Sequence, residues 1–252
     1  MHGERKVAEI NTRGEASVLD ERFIPYDLYL ENECDFDTLI NNINNFYHWC
    51  ASRVLSLDRK YAKEILNSIG MAQAMTDRDR AKISLSYHCV SLTDIYWVKK
   101  SDEEISFEKI NLYDNFLNEA VVELSLRGKP MTVTNQELAP DLSTKGCFPK
   151  AWIRREKDFI LLKDGGDDAV QKELLASKLC QCFDFKQVKY KEGFYDGEQV
   201  TESKIITSRQ LRNNHITSNI QKHAVLSHFY GKKAAYFFAM RAKIRPVDEF
   251  LL

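Results

Sequence analysis

From Phe36 onward apolar residues recur at steps of three and four: Leu39, Ile40, Ile43, Phe46, Tyr47, Cys50 and Val54 fall on one side of a helical repeat. The spacing predicts a helix, with the carboxylate of Asp35 or Asp37 available to cap its first turn. A second helix is expected after Asp58, where Tyr61, Ile65 and Ile69 share a face and Gly70 stands where a left-handed terminal residue belongs. Between 76 and 92 the pattern divides. TDRDR reads as a helix start, whereas Ile83, Leu85 and Tyr87 alternate as on a strand, so the element type stays open.

Further on, SLTDIYWVKK (91–100) and ISFEKINLY (105–113) are rich in aromatic and β-branched residues, which predicts two short strands joined by the polar SDEE turn. A helix over 115–126 would turn Phe116, Ala120 and Leu124 inward. The stretch GKPMTVTNQELAPDLSTKG holds two prolines and two glycines in 19 residues and is the best candidate boundary. Beyond it, AWIRR and DFILLK flank the polar EKD as a hairpin would. A helix over 167–183 carries Val170, Leu174, Leu175, Leu179 and Cys182 as a stripe, for which the hairpin is the expected partner. In VKYKEGFYDGEQV the dipeptide Asp196-Gly197 signals a second hairpin. The expected fold class is therefore α+β: a helical amino-terminal region over 1–127, a lobe of antiparallel strands with one packed helix over 128–206, and a tail over 207–252.

The tail is unusual. From Ser203 to Val247, 45 residues contain no Asp or Glu, which chance would give about once in a thousand chains of this composition. It reads either as a basic arm able to touch nucleic-acid phosphates or as replaced sequence, such as a shifted reading frame. The chain as a whole has a net charge of -1, which predicts no general attraction to nucleic acid or membrane. Its six cysteines form no CxxC pair, and it has neither a secretory apolar segment nor an 18-residue apolar run, so a cytoplasmic protein with reduced thiols is expected. Cys180 and Cys182 read as buried thiols of an apolar face, and His48 beside Trp49 as a packed side chain. The histidines lack metal-ligand spacing, and no Walker, G-x-G-x-x-G or G-x-S-x-G motif occurs. No metal ligand is nominated.

Residues 143–173 carry the candidate chemistry. Holding nucleotide phosphates for transfer needs a backbone-rich loop, a strand lysine and a carboxylate to orient that lysine. Ser143, Thr144, Lys145, Gly146 and Lys150 offer a hydroxyl-bearing basic loop, Lys163 ends the strand FILLK, and Glu173 lies in the first two turns of the helix that follows. Taken singly, a lysine such as Lys163 at a strand end is usually a solvated edge charge, and Glu173 reads as a helix-stabilising carboxylate; their order along the chain raises the functional reading only moderately.

SLTDIYWVKK, INLYDNF, APDLSTKGCFPKAW, FILLK and KELLASKL, in that order over roughly 36–206, together resemble the HipA-like serine/threonine protein kinases of bacteria. The resemblance implies a kinase-like nucleotide-binding lobe, ATP with magnesium, transfer to protein hydroxyls, and a protein substrate or an antitoxin-like partner. On it, Lys163 pairs with the phosphates, Glu173 is its helix partner, and Ser143, Thr144, Gly146 and Lys150 belong to the covering loop. Asp94, Tyr96 and Trp97 match a signature segment with an expected packing role. The family's Asn-x-Asp-Arg-His-x-x-Asn segment and later metal-binding Asp have no counterpart: after Glu202 the only acids are Asp248 and Glu249. No catalytic residue is therefore assigned, and the chain is expected to be inactive or incomplete by itself. A non-catalytic module contacting a protein partner or a nucleic-acid backbone is the alternative expectation.

Overall fold

A computed structural model describes residues 1–68, 70, 76–114, 119–128, 144, 146–182 and 188–205. The tail over 207–252, Ser143 and Lys145 lie outside the described residues, as does most of the predicted boundary. The order of elements is a small hairpin of β1 (Ala8–Ile10) and β2 (Ala16–Val18), helices α1 (Phe36–Ala51), α2 (Ala62–Ser68), α3 (Asp77–Ser86), α4 (Phe107–Ile110) and α5 (Glu119–Arg127), then β3 (Lys150–Arg155), β4 (Asp158–Lys163), α6 (Asp167–Cys180), β5 (Tyr190–Tyr195) and β6 (Glu198–Lys204). The chain is α+β, and its strands pair antiparallel.

Local signals placed several of these elements. Asp35 caps α1 by accepting from the Thr38 amide. Thr76 and Asp79 form a reciprocal capping box, which decides the ambiguous 76–92 stretch in favour of a helix. Asp196 and Gly197 both adopt positive φ, the backbone needed by a two-residue hairpin turn between β5 and β6.

Other expectations are corrected. The two strands predicted between 91 and 113 do not form: Tyr96 makes one isolated bridge, to His2, and Phe107–Ile110 is a helical turn. Aromatic content there serves packing, since Trp97 and Phe107 are buried together in a cluster with Leu92 and Leu112. The helix after Asp58 starts only at Ala62, because Tyr61 has a φ of +67°. On α1 the inward side chains are Thr38, Asn42, Trp49 and Cys50, while Ile40 is exposed. Asn42 is inward because its amide donates to the Gly14 and Glu31 carbonyls and accepts from the Glu31 amide, tying α1 to the segments before it.

The larger sheet has the order β3-β4-β6-β5. After the β3–β4 hairpin, α6 crosses the sheet, β5 forms the far edge, and β6 returns to pair with β4. Side chains alternate between faces. On one face Ala151, Leu162 and Val200 pack with Val122 and Leu126 of α5. On the other, Trp152 and Phe159 join the cluster of Trp97, Phe107 and Tyr113, and Lys150, Lys163 and Thr201 share the remaining surface. Helix α6 lies over this second face, chiefly against β5 and β6 rather than the first hairpin. Of its predicted stripe Val170 is buried, whereas Leu175 and Leu179 are exposed. The junction expected near 128 is spanned by contacts: α5 packs on β3, and the Lys60 amide donates to the Cys147 carbonyl at 2.9 Å.

Candidate phosphate-binding site

Antiparallel register sets Lys150, the first residue of β3, directly opposite Lys163, the last of β4, and sets Lys163 opposite Thr201 of β6. Directly opposed residues point to the same face, so two lysines stand side by side in the sheet. Lys150 is 5% exposed. Like charges in that relation destabilise a sheet, and burial adds the cost of lost hydration.

Glu173 pairs with Lys163. It lies in the second turn of α6, where the helix crosses the sheet, and its Oε1 accepts from Lys163 Nζ at 3.1 Å. Its Oε2 accepts from the Thr201 hydroxyl at 2.8 Å, so each carboxylate oxygen has a partner on the sheet. The Tyr190 hydroxyl accepts from Lys163 Nζ at 3.0 Å, and the Tyr190 ring lies 4.5 Å from the same ammonium. Tyr190 is itself anchored where its amide donates to the Ser177 hydroxyl of α6. Burial by itself would lower the Lys163 ammonium, but Tyr190 and Glu173 outweigh it and hold the group above the ordinary lysine value.

Lys150 behaves oppositely. Burial, then the neighbouring cations Arg59 and Lys163, push its ammonium down to about 8, against weaker support from Cys147 and Glu173. Arg59, from the turn between α1 and α2, is buried and donates to the Lys150 carbonyl and, at 3.4 Å, to the Thr144 hydroxyl. Gly146, with φ +110°, passes so close that a Cβ there would lie 2.7 Å from Lys150 Nζ.

Of the residues nominated from the sequence, Lys163, Glu173, Lys150, Gly146 and Thr144 are thus gathered at one end of the sheet. Arg59, Tyr190 and Thr201 were not foreseen. Thr201 follows from the β4–β6 register and Arg59 from a contact between residues 91 positions apart, neither of which has a local signal. Asp94, Tyr96 and Trp97 lie away from the lysine site, in contacts within the helical half. Asp94 pairs with Arg53, the Tyr96 ring lies tilted against His2 with centroids 4.9 Å apart, and the Trp97 indole donates to the Gly3 carbonyl at 2.6 Å.

His48 is corrected. It is largely exposed and its Nδ1 lies 2.8 Å from Asp77 Oδ2. The two lie in a surface cavity of about 590 Å³, between α1, the N-terminus of α3 and Thr12 of the β1–β2 turn, whose lining includes none of the lysine-site residues. Among the described residues no group of three or more His, Cys, Asp or Glu side chains is placed to hold a metal ion, and no helix is long and apolar enough to cross a membrane.

Comparison with protein-family models, with curated proteins and with solved structures gives no match to this chain. The HipA-like resemblance draws no support from those comparisons.

Proposed function

We propose that this chain binds the phosphates of ATP at the Lys150–Lys163 site, as the nucleotide-gripping part of a HipA-like kinase that transfers phosphate to protein hydroxyls. The observation that carries the reading is the ion pair from strand Lys163 to helix Glu173 beside a second buried cation. A protein kinase uses a strand lysine held by a helix glutamate to grip nucleotide phosphates. Two opposed, desolvated ammonium groups gain most from a ligand carrying more than one negative charge. In this reading Lys163 contacts the phosphates, Glu173 and Tyr190 orient it, Lys150 supplies the second positive charge, and Thr144 and Gly146 shape the loop. Magnesium enters only as the counter-ion of the nucleotide.

The test is calorimetry with magnesium-ATP on the chain and on Lys163→Ala, with circular dichroism to establish that both fold. Binding by the first and loss by the second is the expected result. Absence of binding by the folded chain, or equal binding by the variant, overturns the reading.

A module that contacts a protein partner is the second reading, and the exposed Leu175 and Leu179 on α6 favour it. Partner binding that survives Lys163→Ala and is lost in Leu175→Ser would select it. The tail nominated for nucleic-acid contact lies outside the described residues.

A further inference from the structure

The cavity beside His48 is walled on one side by two columns of side chains. Residues four apart on a helix stand one above the other, so on α1 Ile43 and Tyr47 make an apolar column and Asn44 and His48 a polar one next to it. The first turn of α3 contributes Asp77 and Arg78. The space of about 590 Å³ between them is of the size that takes a small molecule. His48 and Arg78 are both exposed, so it is open to a ligand from solvent.

Its charges are arranged for an anion. Asp77 is the one acid among the described lining residues, and both of its oxygens are engaged: Oδ2 by His48 Nδ1 at 2.8 Å and Oδ1 by Arg80. His48 first and Arg80 next hold its carboxyl below the ordinary value against the cost of burial, so it stays an acceptor already in use. With a proton on Nδ1 shared with Asp77, the nitrogen across the ring, Nε2, is left for a ligand, and it donates when the ring is an imidazolium. Arg78 lies over the Tyr47 ring, 5.6 Å from its centre, while the partners of Asp77 are His48 and Arg80. A guanidinium in that position keeps its planar fork for a carboxylate. Arg78 and a protonated His48, set against Asp77, leave a single positive charge, which matches a monoanion.

We propose that this cavity binds a small carboxylate with an aromatic or apolar body, the carboxylate on Arg78 and His48 Nε2 and the body against Ile43 and Tyr47. Asp77 acts through His48 as a positioning residue, setting the ring so that Nε2 is presented. The inference is independent of the phosphate reading, because the cavity shares no residue with the Lys163 site.

The experiment uses the full chain with ring-labelled histidine, benzoate as the probe and benzamide as its uncharged counterpart. NMR follows the imidazole signals, that of His48 being assigned by its loss in His48→Gln. Benzoate is expected to shift the His48 signal saturably with a Kd of about 1 mM, and benzamide to leave it in place. Arg78→Gln should weaken benzoate about tenfold, whereas Lys163→Ala should leave its affinity as it is. His48 and Arg78 are exposed, so their variants keep the fold, which circular dichroism checks. No saturable shift of His48 at about ten times that concentration, an equal response to benzamide, or unchanged benzoate affinity in Arg78→Gln overturns the inference. Loss of benzoate binding in folded Lys163→Ala overturns it as well, by assigning the anion to the lysine site. Inorganic phosphate that shifts His48 at lower concentration than benzoate overturns the choice of a carboxylate.

Discussion

Arg53 and Asp94 face each other inside the helical half as a two-point ion pair, Nη1 donating to Oδ2 at 3.0 Å and Nη2 to Oδ1 at 2.8 Å. Both side chains are almost fully buried. The guanidinium also donates to the Cys89 and Tyr96 carbonyls and lies 4.8 Å from the Trp49 ring. It therefore joins the end of α1 to the segment that follows α3. Removing one member strands a buried charge, so Arg53→Met should cost about 3–5 kcal/mol. Replacing both, as Arg53→Met with Asp94→Leu, should recover part of that loss. Urea denaturation followed by circular dichroism measures both, and a single-variant loss under about 1 kcal/mol would contradict the role assigned to the pair.

Glu173 is expected both to tune Lys163 and to offset the cost of burying its charge. In Glu173→Gln the geometry to Thr201 persists but the negative charge is lost, leaving Tyr190 as the remaining hydroxyl partner seen on Lys163. The ammonium of Lys163 then falls. If it grips phosphate, affinity for magnesium-ATP should drop about tenfold, equal to about 1.4 kcal/mol, alongside a lowered unfolding midpoint from the uncompensated Lys163 charge. Unchanged affinity in a folded Glu173→Gln protein would separate Glu173 from the ligand.

Lys150 imposes a pH dependence whose sign follows from its lowered ammonium. Between about 8 in the folded chain and the ordinary value of 10.5, the unfolded state holds the proton and the folded state does not. Stability linked to this group therefore rises with pH across that window and is least below it. The full excursion is on the order of 3 kcal/mol. Lys150→Met should flatten the rise between pH 8 and 10 and increase stability at pH 7. Chemical denaturation at several pH values, with both proteins in parallel, gives the answer; identical slopes would disprove the assignment.

Two glycines separate backbone strain from steric conflict. Gly197, at φ +79°, has nothing within 4 Å of where a Cβ would stand, so Gly197→Ala should cost only the left-handed penalty of about 1–2 kcal/mol. At Gly14, φ is +91° and a Cβ would collide with the Leu39 carbonyl oxygen, part of the α1 backbone that cannot move aside. Gly14→Ala should cost clearly more, about 3 kcal/mol or above, by pushing the β1–β2 turn off α1 and disturbing the Asn42 bond to the Gly14 carbonyl. Comparing the two unfolding midpoints tests this order.

Much of the candidate site was legible because its pieces are consecutive. The EKD hairpin, the strand end at Lys163 and the helix bearing Glu173 fall within residues 150–180 and follow local rules of alternation and turn chemistry. Packing was less legible. Leu175 and Leu179 look inward on an ideal helix, yet they are exposed because α6 meets the sheet along Val170, Glu173 and Ser177 instead. The aromatic run at 91–113 resembles strands because burial selects aromatic residues whether or not a ladder forms.

By itself the sequence determined those features that neighbours along the chain decide. They are the cap at Asp35, the turn at Asp196-Gly197, the alternation within β3 and β4, and the placing of Lys163 and Glu173 ten residues apart on a strand and the helix after it. Only the tertiary structure decided that β6 inserts between β4 and β5, that Thr201 fixes the Glu173 carboxylate, and that Arg59 reaches the Lys150 carbonyl from the helical half. Local preferences arise from steric and hydrogen-bond limits within a few residues, whereas these contacts depend on which faces are buried together when distant segments pack. The same packing desolvates Lys150 and Lys163 side by side, so the charge environment of the site exists only in the folded chain.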